Sequence, residues 1–227
     1  MRLTLAVLVL LVLGLPQPNH AARTHPRLLD SVRPLSMIVL HDVTTNIDIY
    51  RNICTVSSIN ALLHLWLTAA HCILDTETSE DGTSITTPTS GLMIEGHLVY
   101  TVKLDKSVDL AVLFTPNFSL PVLRLASRAP LWEDRIRVVG YPFGFTAATI
   151  VEGTIATPEE PFFDAQFLPS YMLFTAQVAP GNSGSPVINT RGEIVSVHQI
   201  GWGRGYSSGG GSTYARLKAF AGEYFER

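Results

Sequence analysis

The sequence predicts an antiparallel all-β protein, on three observations. Val, Ile and Thr recur throughout, and 17 glycines and 14 prolines interrupt the chain at short intervals. β-Branched residues suit pleated strands, and Gly and Pro mark the turns between them. Most apolar runs are short or alternate with period two, the spacing of strands rather than helices. A single helical pattern stands at the end, where Leu217, Phe220, Ala221 and Tyr224 fall on one face. Hydrophobic residues form 46% of the 227 and charged residues 15%, enough for a sizeable core in one domain or two intimate halves.

Residues 1–22 read as a secretory signal. Arg2 precedes Leu3–Leu15, which is almost wholly Leu, Val and Ala; Pro16 and Pro18 break the run, and Ala21-Ala22 supplies small residues for cleavage. The run is too short for a comfortable membrane span. A secreted or extracytoplasmic protein with no membrane attachment after cleavage is expected. Residues 23–35 are polar and contain Arg and Pro, and read as a short pro-segment or a flexible arm. The formal net charge of -3 and the lack of a basic tract exclude nucleic acid as a partner. No apolar heptad run is present, so a monomer is expected.

The first half runs from 36 to 120. Met37–Leu40 and Ile47–Tyr50 read as strands around a turn near Asp42–Asn46, followed by strands at Asn52–Ile59 and Leu62–Thr68. Ala69–Ile73 reads as a short helical turn. Leu74–Gly91 is acidic and Ser/Thr-rich, and reads as a surface loop. Its Asp75, Glu77, Glu80 and Asp81 lack the spacing of a calcium loop. Strand material returns at Leu92–Lys103 and Leu110–Phe114. Residues 121–134 read as a linker, and Asn117-Phe118-Ser119 just before it is a glycosylation sequon. The second half, 135–216, contains strands at Arg135–Gly140, Ala147–Ile155, Met172–Gln177, Val187–Ile188 and Glu193–Ile200. Gly201–Gly211 is a glycine-rich tract holding Trp202, Arg204 and Tyr206, expected to be mobile and to line a cleft. Residues 217–227 form the terminal helix. Cys54 and Cys72 are the sole cysteines, so one disulfide has a single connectivity, and export favours it. With few histidines nearby they make a poor zinc site. No metal and no cofactor is expected.

The chemistry centres on Pro180–Pro186, P-G-N-S-G-S-P. Glycines at 181 and 184 permit a sharp turn that presents the Ser183 hydroxyl and turns backbone N–H groups toward one point. A serine needs a base to act as a nucleophile. His71, in L-T-A-A-H-C, could take its proton, and Asp109, at the mouth of V-D-L-A-V-L, could orient the imidazole. The three segments lie far apart in sequence, so contact among them depends on the fold.

Thr68–Cys72 (T-A-A-H-C), Val108–Leu113 (V-D-L-A-V-L) and Gly181–Pro186 (G-N-S-G-S-P) together resemble the chymotrypsin-fold, trypsin-like serine proteases, with the match spanning about residues 36–225. The resemblance implies two antiparallel six-stranded β-barrels with the active site between them and a C-terminal helix. It implies His71 as base, Asp109 as its orienter, Ser183 as nucleophile, and the Gly181 and Ser183 N–H groups as the oxyanion hole. It also places the Cys54–Cys72 disulfide beside the histidine.

The serine motif most closely resembles the bacterial glutamyl endopeptidase (V8-like) branch. Asn182 replaces the aspartate that trypsin-like animal enzymes pair with a new N-terminus, so that activation switch is not expected. His198, fifteen residues beyond Ser183, stands where that branch reads a substrate carboxylate, implying an acidic residue before the scissile bond (P1). Val178 stands where the branch commonly has threonine; Gln177 is a further wall residue, and Arg204 a compensating cation. Gln199, Ile200 and Gly201 are implied to run beside the substrate backbone as a sheet edge. Periplasmic quality-control proteases share the fold by resemblance and often add a C-terminal peptide-binding domain, for which the sequence leaves no room after Arg227. The expected function is a secreted serine endopeptidase acting on peptides or proteins. The alternatives are a catalytically silent binding protein on the same fold, or an esterase.

Overall fold

The computed structural model describes residues 26–42, 47–78, 84–160, 170–202 and 207–226. The signal segment and Arg204 lie outside the described residues. After a short helix α1 (Pro26–Asp30) come strands β1 (Val32–Asp42), β2 (Ile47–Asn60), β3 (Leu65–Thr68), β4 (Leu74–Thr78), β5 (Ser84–Pro88), β6 (Leu92–Ile94), β7 (His97–Leu98), β8 (Tyr100–Asp105) and β9 (Leu110–Phe114). The second half holds β10 (Arg135–Gly140), β11 (Thr149–Glu160), β12 (Tyr171–Phe174), β13 (Pro186–Asn189), β14 (Ile194–Trp202), β15 (Ser208–Ser212) and helix α2 (Tyr214–Ala221).

The fold is all-β, as expected. The second half closes into a six-stranded barrel in the order β10-β11-β12-β15-β14-β13. The first half is a half-barrel: seven strands in the order β7-β6-β1-β2-β3-β9-β8, where six in a closed barrel were expected. The extra strand comes from a tight turn at Glu95 and Gly96, both at positive φ, which splits the run after Leu92 into separate strands.

Three apolar clusters hold the molecule together. One fills the half-barrel with Leu35, Val56, Trp66, Ile94 and Leu113. Another fills the closed barrel with Val138, Ile155, Met172, Phe174 and Val195. The third joins the two: Ile59, Leu67 and Val112 from the first half meet Val139, Ile188 and Val197 from the second, under Leu217 and Phe220 of α2. The Thr213 side chain caps α2 by accepting a bond from the Arg216 N–H.

Three local expectations differ from the structure. Residues 26–35 are not a free arm: Leu28 and Val32 enter the joining cluster, and Leu35 enters the half-barrel core. The few apolar residues of that polar stretch are spaced so that each finds a core. Leu74–Gly91 contains the hairpin β4–β5 rather than a structureless loop, because its threonines and isoleucine suit paired strands. The glycine tract ends in β15, which pairs with β12 and β14 and completes the barrel.

Candidate active site

The nucleophile turn is fixed to both halves of the molecule. Thr55, buried in β2, donates its N–H to the Ser183 carbonyl (2.8 Å) and its hydroxyl to the Gly181 carbonyl (2.9 Å). The Tyr141 N–H donates back to the same hydroxyl (3.0 Å). From β14, the His198 carbonyl accepts the Gly184 N–H, and the His198 N–H donates to the Ser185 carbonyl, each at 2.8 Å. A Cβ at Gly184 would lie 2.1 Å from Thr68 Oγ1 and 2.2 Å from the Thr55 carbonyl. The turn therefore packs directly on the segment that leads to His71. Nothing in the sequence singled out Thr55.

The oxyanion geometry follows from one peptide. The Phe143 N–H donates to the Pro180 carbonyl at 2.6 Å, so the Gly181 N–H on the opposite edge of that trans peptide points the other way. Gly181 sits at φ 96, and a Cβ there would meet the Tyr141 carbonyl at 2.4 Å. Among the described residues, the Gly181 and Ser183 N–H groups pair with no acceptor. Asn182 is buried, and its N–H donates to the Ala179 carbonyl. Its Oδ1 makes no hydrogen bond among the described residues.

His71 lies on the 3-10 turn Ala70–Ile73, where the Cys54–Cys72 disulfide ties β2 to the next residue. Asp109 grips it twice: Oδ1 accepts the His71 backbone N–H and Oδ2 pairs with Nδ1, both at 2.8 Å. The proton between Nδ1 and the carboxylate leaves Nε2 as the free base. Asp109 adopts φ 51, and Gln199 pins it there from β14. Gln199 Nε2 donates to the Val108 carbonyl (2.8 Å) and the Asp109 carbonyl (2.7 Å). Gln199 was expected to run its backbone beside the substrate; its side chain crosses between the halves and holds the Asp109 loop. Its amide supplies two donors on one nitrogen, which suits a pair of adjacent carbonyls. No hydrogen bond joins His71 to Ser183 among the described residues.

A cleft of about 350 Å³ opens at Ser183, lined by Val178, Ala179, Pro180, His198, Gln199, Ile200 and Gly201. The expected wall residues thus converge, except Gln177. That side chain is exposed and lies outside the lining, because buried Ala176 and Val178 flank it on an extended segment and direct it to the opposite face. His198 is 3% exposed. Its Nδ1 faces the Gly210 carbonyl at 3.1 Å, so Nδ1 carries the proton. Burial is the main cause that pushes the imidazole down to about 4, with the nearby His71 adding to it and the Gly210 bond opposing it. Cys54, His71 and Cys72 bring ligand-type atoms close together, but the disulfide occupies both sulfurs.

Comparison with known proteins bears on the family and the fold. The family described as "Trypsin-like peptidase domain" matches residues 54–197, more than half of the chain. A probable periplasmic serine endoprotease DegP-like of Hahella chejuensis is 32% identical over 95 residues, 41% of this chain and 20% of that protein. Its counterpart in Chlamydia trachomatis is 26% identical over 184 residues, covering 80% of this chain and 31% of that protein. The serine protease HTRA3 of Rattus norvegicus is 31% identical over 102 residues, 43% of this chain and 22% of that protein. The chain therefore spans between a fifth and a third of the length of these curated relatives. The crystal structure of the Rv3671c protease from M. tuberculosis, active form, superposes with a TM-score of 0.61 at 19% identity, covering 86% of this chain and 80% of that one. These relatives give the glutamyl endopeptidase resemblance no support.

Proposed function

The chain belongs to the trypsin-like peptidase family, and from that premise we propose that it is a serine endopeptidase using His71, Asp109 and Ser183. The observation that carries this reading is the double grip of Asp109 on His71 beside a rigidly held Ser183 turn. In the reaction, His71 Nε2 takes the Ser183 proton as Oγ attacks the scissile carbonyl. Asp109 fixes the tautomer and stabilises the imidazolium. The Gly181 and Ser183 N–H groups receive the developing oxyanion. His71 then protonates the leaving amine, and an acyl-enzyme remains. Water then attacks the acyl carbonyl as His71 takes its proton, and His71 returns that proton to Ser183 Oγ as the acid leaves. Each step uses side chains and backbone of the chain itself.

The cleft at Ser183 receives the P1 side chain, and His198 Nε2 is its polar group. Nδ1 already donates to the Gly210 carbonyl. A neutral imidazole in that tautomer offers Nε2 only as an acceptor. A P1 carboxylate needs a donor, hence the doubly protonated ring, which burial holds off until about 4. Near neutral pH the cleft therefore suits small or apolar P1 residues, or neutral ones able to donate. Acidic P1 selectivity grows as the pH falls toward that value. Extracytoplasmic action is supported by the leader-like residues 1–22 and by the periplasmic designation of the DegP-like relatives. No described helix is long and apolar enough to cross a membrane.

Mapping all cuts in a diverse peptide library at pH 7.5 and 5, with Ser183→Ala beside the wild type, tests this. Cuts absent from S183A, with a relative gain of Glu and Asp at P1 at the lower pH, are expected. Equal cutting by both proteins overturns the nucleophile. Dominant acidic P1 already at pH 7.5 overturns the acceptor role of Nε2 toward the substrate. Cleavage of esters but no peptides turns the reading to an esterase.

A further inference from the structure

A second cavity adjoins the nucleophile turn, and His198 is not among its lining residues. It encloses about 730 Å³, and its walls include Arg51 and Ile53 of β2, Phe143 of the loop after β10, and Pro180 and Gly181 of the turn itself. Pro180 lines both cavities, so the two meet at the turn. Gly181 gives this second cavity a direct border with the oxyanion N–H.

Its walls are built rather than incidental. The Asn52 side-chain amide donates to the Gly144 carbonyl (3.4 Å) and the Phe145 carbonyl (3.2 Å), while Asn52 Oδ1 accepts from Ser36 Oγ (2.7 Å). These bonds fasten the loop of the closed barrel to a strand of the half-barrel. Phe143 stands at φ 56, a conformation that non-glycine residues seldom adopt. Its N–H holds the Pro180 carbonyl, so the residue that forms the wall is the one that fixes the oxyanion peptide. Phe143 is nevertheless 68% exposed, and its ring meets the Phe145 ring at 5.9 Å, itself 53% exposed. An aromatic pair held open to solvent at a cleft offers an apolar face that an apolar side chain can cover. Arg51 adds a cation at the rim of a protein whose formal net charge is -3.

The geometry points to this cavity as the subsite for the leaving-group half of the peptide substrate, selecting an aromatic or large aliphatic residue accompanied by a carboxylate. The assignment rests on Ser183 as nucleophile: the acyl half then occupies the cleft along His198–Gly201, and the chain beyond the scissile bond passes Gly181 into the second cavity. The Phe143 ring covers the apolar side chain, and Arg51 pairs with the acid.

Four internally quenched peptides test it on the active protein. They share an acyl half taken from the best-cut library sites, and carry Phe-Glu, Phe-Lys, Gly-Glu or Gly-Lys after the scissile bond. On a separate sample, a fluorophosphonate is tested for an adduct on Ser183; absence of an adduct overturns the nucleophile reading itself. Where that sample labels, kcat/KM of the unlabelled enzyme is expected to be about tenfold higher for Phe than for Gly, from apolar burial, and about threefold higher for Glu than for Lys, falling with salt. Arg51→Glu reverses the charge preference. Phe143→Gly, which tolerates the positive φ and keeps the N–H, flattens the Phe/Gly ratio. Should F143G fail to fold, the R51E reversal still decides. Ratios within twofold for the unlabelled wild type, or no cleavage of any of the four by a preparation whose separate sample labels at Ser183, overturn the subsite alone.

Discussion

Replacing His198 by Asn should remove most of the acid sensitivity that this ring builds into the fold. The imidazole is almost wholly buried, and its pKa falls from 6.5 to about 4, chiefly through burial. The unfolded chain binds a proton at about 6.5 and the folded protein only near 4, so the unfolded state gains protons first as the pH drops. The stability is intact above about 6.5 and is lost on the way down to about 4. Linkage gives a loss of about 2 kcal/mol at pH 5 and about 3 kcal/mol at pH 4 from this one group. Asn can place its amide N–H where Nδ1–H meets the Gly210 carbonyl, so the substitution removes the titration while keeping the hydrogen bond. Urea unfolding of wild type and H198N at pH 7.5, 6, 5 and 4 reads the difference, and carboxylates common to both proteins cancel. The gap between the two should shift by about 3 kcal/mol in favour of H198N over that range. Parallel losses in the two proteins would refute the assignment of a buried neutral imidazole, and with it the acceptor character of Nε2.

Other consequences follow from the same contacts. Gln199→Leu removes both bonds that hold Val108 and Asp109; it should cost about 2 kcal/mol in urea unfolding and lower kcat more than KM, since Asp109 loses its support. Gly184→Ala drives a Cβ against the Thr55 carbonyl at positive φ, so a loss of more than about 3 kcal/mol, or failure to fold, is expected by the same measurement. The double variant C54A/C72A opens a link between residues 18 apart and should lose about 3 kcal/mol; an unchanged unfolding midpoint would show that the bridge contributes nothing.

What the sequence makes legible is chemistry concentrated in short stretches. The turn around Ser183, the histidine segment and the run after Asp109 each carry their residues within a few positions, and the structure brings the His71 and Asp109 segments into contact. Gln177 could have been placed correctly: period-two alternation with buried Ala176 and Val178 sends it outward. Other features depend on partners distant in sequence. Thr55 supports the turn across 126 residues, and Gln199 reaches back 91 residues to Val108. No local pattern announces such bonds. The glycine tract looked mobile because Gly lacks strand propensity, yet Ser208–Ser212 lies between β12 and β14, and the barrel cannot close without it. Residues 26–35 looked polar in composition, but Leu28, Val32 and Leu35 sufficed to bury them.

The central claim is that Ser183 is activated by His71 in the grip of Asp109. Its most direct test is the rate of fluorophosphonate labelling, with the adduct located by peptide mass mapping, in wild type and in Asp109→Asn. A single adduct on Ser183, formed on the order of a thousandfold more slowly in D109N, is the predicted result. An adduct elsewhere, no adduct, or equal rates in the two proteins would contradict the account.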